Sequence, residues 1–166
     1  MIETSPQPGD IGLTSIDGPV GWLIRLGQWF NADGFANFEH AFIVLDGGRL
    51  IEAQPGGAVV RPLSEYDGRQ VLYVAPAGLT DGQRVLICAQ AEAMVGTPYS
   101  FLDYAALAAR RFRLPIPWLR RYIASTGHMI CSQLVDKAYL DSGIHLYNDG
   151  RWPGDITPAD LWKKLA

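Results

Sequence analysis

The sequence predicts an α+β fold, on two observations. Short apolar runs separated by glycine turns crowd into the first half of the chain. Helical spacing of apolar residues, with capping and proline signals, fills the second half. Strands first and helices after imply an antiparallel sheet packed on helices rather than an alternating α/β layout. The 166 residues, 48% of them hydrophobic, suit one domain spanning residues 1–166.

Asp10-Ile-Gly-Leu-Thr14 reads as a short strand, and Asp17-Gly-Pro19 as a helix start with proline at the first helical position. Trp22, Leu26 and Trp29 then follow at helical spacing, giving a helix over roughly 19–30. The clearest β signal is Ala41–Leu45, Asp46-Gly-Gly-Arg49 and Leu50–Ala53, two apolar runs joined by a glycine turn. Ala58–Arg61 and Val71–Val74, after a turn at Pro55-Gly-Gly57, are expected to continue an antiparallel meander, making about five strands.

Thr80-Asp-Gly-Gln83 is a capping box, and the helix it opens is expected to run to about Val95, ended by Gly96-Thr-Pro98. A helical stretch from about Phe101 to Phe112 is broken by Pro115 and Pro117. A loop with Ser125, Thr126 and Gly127 leads to Cys131, after which Leu134, Val135, Ala138 and Tyr139 recur at helical spacing. Gly143 is placed as its C-terminal cap. Thr157-Pro158 opens a last short helix carrying Leu161 and Trp162.

Cys131 sits where a loop gives way to a helix. That position offers unpaired amide N–H groups and about half a positive charge. Both favour a thiolate, and the amides suit an oxyanion. Cys88, in the middle of Val85-Leu-Ile-Cys-Ala-Gln90, has apolar neighbours and reads as core packing. No CxxC pair exists and the three histidines are scattered, so neither a disulfide framework nor a zinc site is expected, and no cofactor is implied.

His40 begins a strand, and Glu52 follows twelve residues later on the neighbouring strand. A carboxylate beside an imidazole fixes its tautomer and stabilises the imidazolium. Register decides whether the two meet. A two-residue turn at Gly47-Gly48 pairs Ile43 with Glu52 and sends Glu52 to the face away from His40. A three-residue loop brings both onto one face. Gln54 has the parity of Glu52 and is the alternative orienting residue. His128 and His145 are rival bases, read as solvent-facing loop residues.

Together, Glu39-His40-Ala-Phe-Ile-Val through Leu50-Ile-Glu52-Ala, Gly96-Thr-Pro-Tyr99 and Cys131-Ser-Gln-Leu-Val resemble segments of the NlpC-type papain-like thiol hydrolases. The histidine strand precedes the cysteine helix, the order of the circularly permuted, YiiX-like branch, which also tends to open with a Gly-Asp strand like Gly9-Asp10. The resemblance spans about residues 9–143. It implies a permuted papain-like fold, with Cys131 as nucleophile, His40 as base and Glu52 as orienting acid. Tyr99 and Ser132 would neighbour the substrate or oxyanion. Ile130-Cys131-Ser132-Gln133 lacks the Asp before cysteine and the Gly after serine common in relatives that cleave peptidoglycan. The substrate is therefore left open between a cell-wall peptide and another amide.

The function expected is a cysteine-nucleophile hydrolase that cleaves an amide or peptide bond through a thioester, with a small peptide or amide as partner. Two alternatives stand beside it. The stretch Arg110–Arg121 interleaves five arginines with Phe112 and Trp118, which suits either an ordinary charged helix face or an anionic lipid surface. The second case would make the protein a lipid thiol acyl hydrolase or acyltransferase. The other alternative is a catalytically inert binding module. A net charge of −3 argues against nucleic acid as the general partner. The opening residues lack a basic segment followed by an apolar one, and no apolar run approaches a membrane span. Cytoplasmic, phage-encoded and non-Sec-exported settings all agree with that, and the oligomeric state stays open.

Overall fold

A computed structural model describes residues 5–15, 38–54, 57–98, 131–149 and 156–166. The helices expected over roughly 19–30 and from about Phe101 to Phe112 lie outside the described residues, as do Tyr99, His128, Trp152 and the Arg110–Arg121 stretch. Five strands form one antiparallel sheet: β1 (Ile11–Thr14), β2 (His40–Leu45), β3 (Arg49–Gln54), β4 (Gly57–Pro62) and β5 (Val71–Val74). A 3-10 turn, Leu63–Tyr66, follows β4. The described helices are α1 (Asp81–Glu92), α2 (Cys131–Asp141) and α3 (Pro158–Leu165). The fold is α+β.

The sheet order is β4-β3-β2-β1-β5, which corrects the expected meander. β5 does not continue from β4. It crosses to the far side and pairs antiparallel with β1, Ile11 against Val74 and Thr14 against Val71. The reason is burial. Ile11 and Leu13 are fully enclosed, so β1 lies in the sheet interior and its backbone needs partners along both edges. β2 supplies one edge and β5 the other.

β2 is buried along its whole length because the sheet is covered on both faces. One face, with Ile11, Leu13, Ile43, Leu45 and Ile51, joins Ile87 and Cys88 of α1 and Leu134, Val135 and Tyr139 of α2 in the main core. The other carries a smaller cluster of Phe42, Val44, Leu50 and Tyr66. Gly12 makes room for it: a Cβ there would lie 2.2 Å from Cζ of Phe42.

The capping box at Thr80 forms in full, each of Thr80 and Gln83 bonding the other's backbone N–H. The helix ends at Glu92, short of the expected Val95, and a turn leads to Gly96 with φ of +81°. The chain then lies against the start of β4, Ala58 N donating to Thr97 O and Gly96 N to Ala58 O. α3 also has its capping box, between Thr157 and Asp160. Two ties fix the N-terminal turn to the helices. Arg84 Nη1 donates to Asp10 Oδ1 at 2.7 Å, and the Tyr139 hydroxyl donates to Gly9 O.

Candidate active site

The β2–β3 register answers the question posed by the glycine turn. Leu45 pairs with Arg49, Ile43 with Ile51 and Phe42 with Glu52. The loop therefore has three residues, Asp46-Gly47-Gly48, with both glycines at positive φ (+70° and +68°). His40, Phe42 and Glu52 then share one face by strand alternation. His40 Nε2 lies 2.6 Å from Glu52 Oε2. Both groups are shielded from water: His40 is 9% exposed and Glu52 1%.

The imidazole also makes a side-chain hydrogen bond with Cys131. His40 is the first residue of β2 and Cys131 the first of α2, so the strand end and the helix start meet at this contact. Cys131 is 2% exposed and belongs to the main core. Burial by itself would lower the affinity of His40 for its proton. The hydrogen bonds and charges of Cys131 and Glu52 outweigh it and raise the His40 pKa from 6.5 to about 9.

Glu52 gathers donors on both oxygens. Oε2 takes His40 and the Tyr66 hydroxyl, the latter at 2.7 Å. Oε1 accepts from Gln54 Nε2 at 2.5 Å, with Arg61 Nε 3.7 Å away. Burial disfavours the carboxylate, yet His40, Tyr66 and Arg61 together hold Glu52 below its usual pKa. Tyr66 in turn is held protonated, raised by burial and by its bond to Glu52.

The residues singled out in the sequence thus separate into distinct places. Cys131, His40 and Glu52 come together. Gln54 bonds Glu52, so of the two candidate orienting residues it is Glu52 that touches the ring. Ser132 is fully buried, and its hydroxyl donates to Ile156 O at 2.5 Å, tying the start of α2 to the segment before α3. His145 is exposed, and Trp162 is partly exposed with its ring 6.2 Å from that of Phe38. Cys88 is buried in the core, its Sγ 3.7 Å from Val44 O, and burial pushes that thiol pKa up. Neither cysteine is in a disulfide.

Two members of the cluster carry no motif in the sequence, Tyr66 and Arg61. Arg61 was recoverable from register: it pairs with Leu50, one step along the face from Glu52, which pairs with Val59. Tyr66 was not. It lies in a 3-10 turn beyond Pro62, and only the packed turn brings its hydroxyl back over the sheet.

Among the described residues no helix is long and apolar enough to cross a membrane. No family model and no curated protein sequence matches the chain. Among solved structures it is similar to metalloprotein YiiX from Escherichia coli O157:H7. The two are 19% identical, with a TM-score of 0.60, over 96% of this chain and 82% of that one. At that identity the likeness speaks to fold alone: the chain shares its α+β architecture with YiiX.

Proposed function

We propose that the protein is a cysteine-nucleophile hydrolase of the permuted papain-like kind, cleaving an amide or peptide bond through a thioester. One observation carries the reading: a buried imidazole hydrogen-bonded on one side to a thiol at a helix start and on the other to a carboxylate. An imidazolium in hydrogen-bond contact favours a thiolate, and the α2 N-terminus favours it further.

The chemistry follows from the geometry. Cys131 Sγ attacks the carbonyl carbon, and its C=O electrons move onto oxygen. N–H groups at the start of α2 hold that oxyanion. The imidazolium of His40 gives its proton to the leaving amine as the C–N bond breaks, which leaves a thioester on Cys131. His40 then takes a proton from water, hydroxide adds to the thioester, and the acid departs as the thiolate re-forms. Glu52 keeps the ring oriented and offsets its positive charge throughout.

The structural neighbour is a metalloprotein. In this chain no group of three or more His, Cys, Asp or Glu side chains gathers into a metal site among the described residues, and no step here runs through a metal. The Arg110–Arg121 stretch supports a second acyl donor, an acyl lipid at an anionic surface. Turnover of muropeptides and small peptide anilides against turnover of anionic phospholipid vesicles tests the two. Peptide turnover that vanishes in Cys131→Ala supports the amide reading, and turnover confined to vesicles replaces it with the lipid one. No turnover, together with an iodoacetamide profile at Cys131 like that of an ordinary thiol, near 8.5, sinks both in favour of an inert binding module.

A further inference from the structure

We infer that Tyr66 is a positioning residue for the His40–Glu52 pair, its hydroxyl fixing the carboxylate that holds the ring. The inference rests on the hydrolase reading above and names a residue which that reading does not require. Three observations carry it.

The first is convergence on a single atom. Tyr66 Oη and His40 Nε2 approach the same oxygen, Glu52 Oε2, at 2.7 and 2.6 Å. A glutamate has a longer stem than an aspartate, and its terminal torsion is broad rather than sharply staggered. Left to itself it would present its oxygens to the ring over a wide range of angles. A second donor on the oxygen used by the ring, with Gln54 on the other, removes that freedom.

The second is that Tyr66 is itself fixed. Its ring stacks on Phe42 with centroids 4.7 Å apart, and the Arg69 guanidinium lies 5.4 Å from its centroid on the ring face. Phe42 is the residue directly opposite Glu52 in the β2–β3 ladder. The hydroxyl is therefore held by the same strand pair that sets the distance between His40 and Glu52.

The third is burial. Tyr66 is 9% exposed, so its hydroxyl does not trade the carboxylate freely for water. Removing it leaves a buried carboxylate short of one donor, which favours the protonated acid. A protonated Glu52 no longer supports the imidazolium. Loss of the hydroxyl should reach Cys131 through two intervening groups.

The test is the rate of Cys131 alkylation by iodoacetamide against pH, with the site mapped by mass spectrometry. It is run on the full chain as wild type, Tyr66→Phe and Glu52→Gln, with melting temperature recorded for each. Tyr66→Phe keeps the ring and its stack on Phe42 and removes only the hydroxyl. The expected result is a rate about tenfold lower on the acid limb, at pH values below both midpoints. The acid-side midpoint should also move up by about one pH unit. A wild-type rate and midpoint in Tyr66→Phe, with Glu52→Gln impaired, overturns the inference and leaves the hydrolase reading standing. A lowered melting temperature with an unmoved midpoint overturns it too, since that is what ring packing alone would give. A wild-type Cys131 that already reacts as an ordinary thiol removes the hydrolase reading and this inference together.

Discussion

Glu52 stands opposite Phe42 in the β2–β3 ladder and reaches the His40 ring diagonally, two residues along the neighbouring strand. A diagonal pair lies about 7–8 Å apart at the backbone, which a glutamate spans and a shorter side chain strains to cover. Glu52→Asp should therefore lower kcat about tenfold or more while binding persists, because geometry of this kind acts on the reacting groups rather than on affinity. Steady-state kinetics on any substrate that turns over checks it, and a change in KM alone would contradict it.

The charge of Glu52 matters separately from its reach. Glu52→Gln keeps the shape but cannot accept from His40, Tyr66 and Gln54 as a carboxylate does, and a drop in kcat of about 10^4-fold is expected for a neutralised orienting residue. Glu52→Ala, which strands several buried donors, should also destabilise the fold by about 3 kcal/mol. Urea denaturation of the two variants separates the catalytic effect from the structural one.

His40 should titrate with a midpoint of about 9 in the wild type, followed by NMR of the labelled imidazole. The sign follows from the contributions: burial lowers the value, and Cys131 and Glu52 raise it. Cys131→Ala and Glu52→Gln should each bring the midpoint down. The double variant, left with burial alone, should fall below 6.5. Activity that depends on protonated His40 is kept through neutral pH and lost as pH rises through about 9.

Cys131→Ala should abolish turnover to within a residual far below wild type, a loss of about 10^4-fold or more. Alkylation at neutral pH should move to no other site, since burial and the nearby carboxylates of Asp46 and Glu92 hold the Cys88 thiol protonated. Preferential labelling of Cys88 in the wild type would reverse the assignment of the nucleophile.

Gly12→Ala tests the packing beneath the site. Its Cβ would meet three ring atoms of Phe42 between 2.2 and 2.7 Å away, in a cluster that also holds Tyr66. A loss of about 3 kcal/mol is expected for a clash of this kind in a closed core. A wild-type melting temperature would mean that Phe42 moves aside freely, and the stack on Tyr66 with it.

The α+β class, the hairpin with Glu52 twelve residues after His40, and the two capping boxes at Thr80 and Thr157 were all legible in the residues alone. Each of these is a local matter: a turn, a period or a cap is complete within a few residues, so a short string carries it. Cys131 at a helix start was legible for the same reason. What tertiary structure alone decided is whatever depends on the choice among distant partners. β5 could have extended the meander, and it closes the edge of β1 instead, because burying Ile11 and Leu13 leaves that backbone in need of a second neighbour. The loop of three residues rather than two was open in a sequence with adjacent glycines, and only packing on both faces of β2 fixes it. Tyr66 had no signal at all: it joins Glu52 from fourteen residues away because Phe42 offers its ring a place to stack.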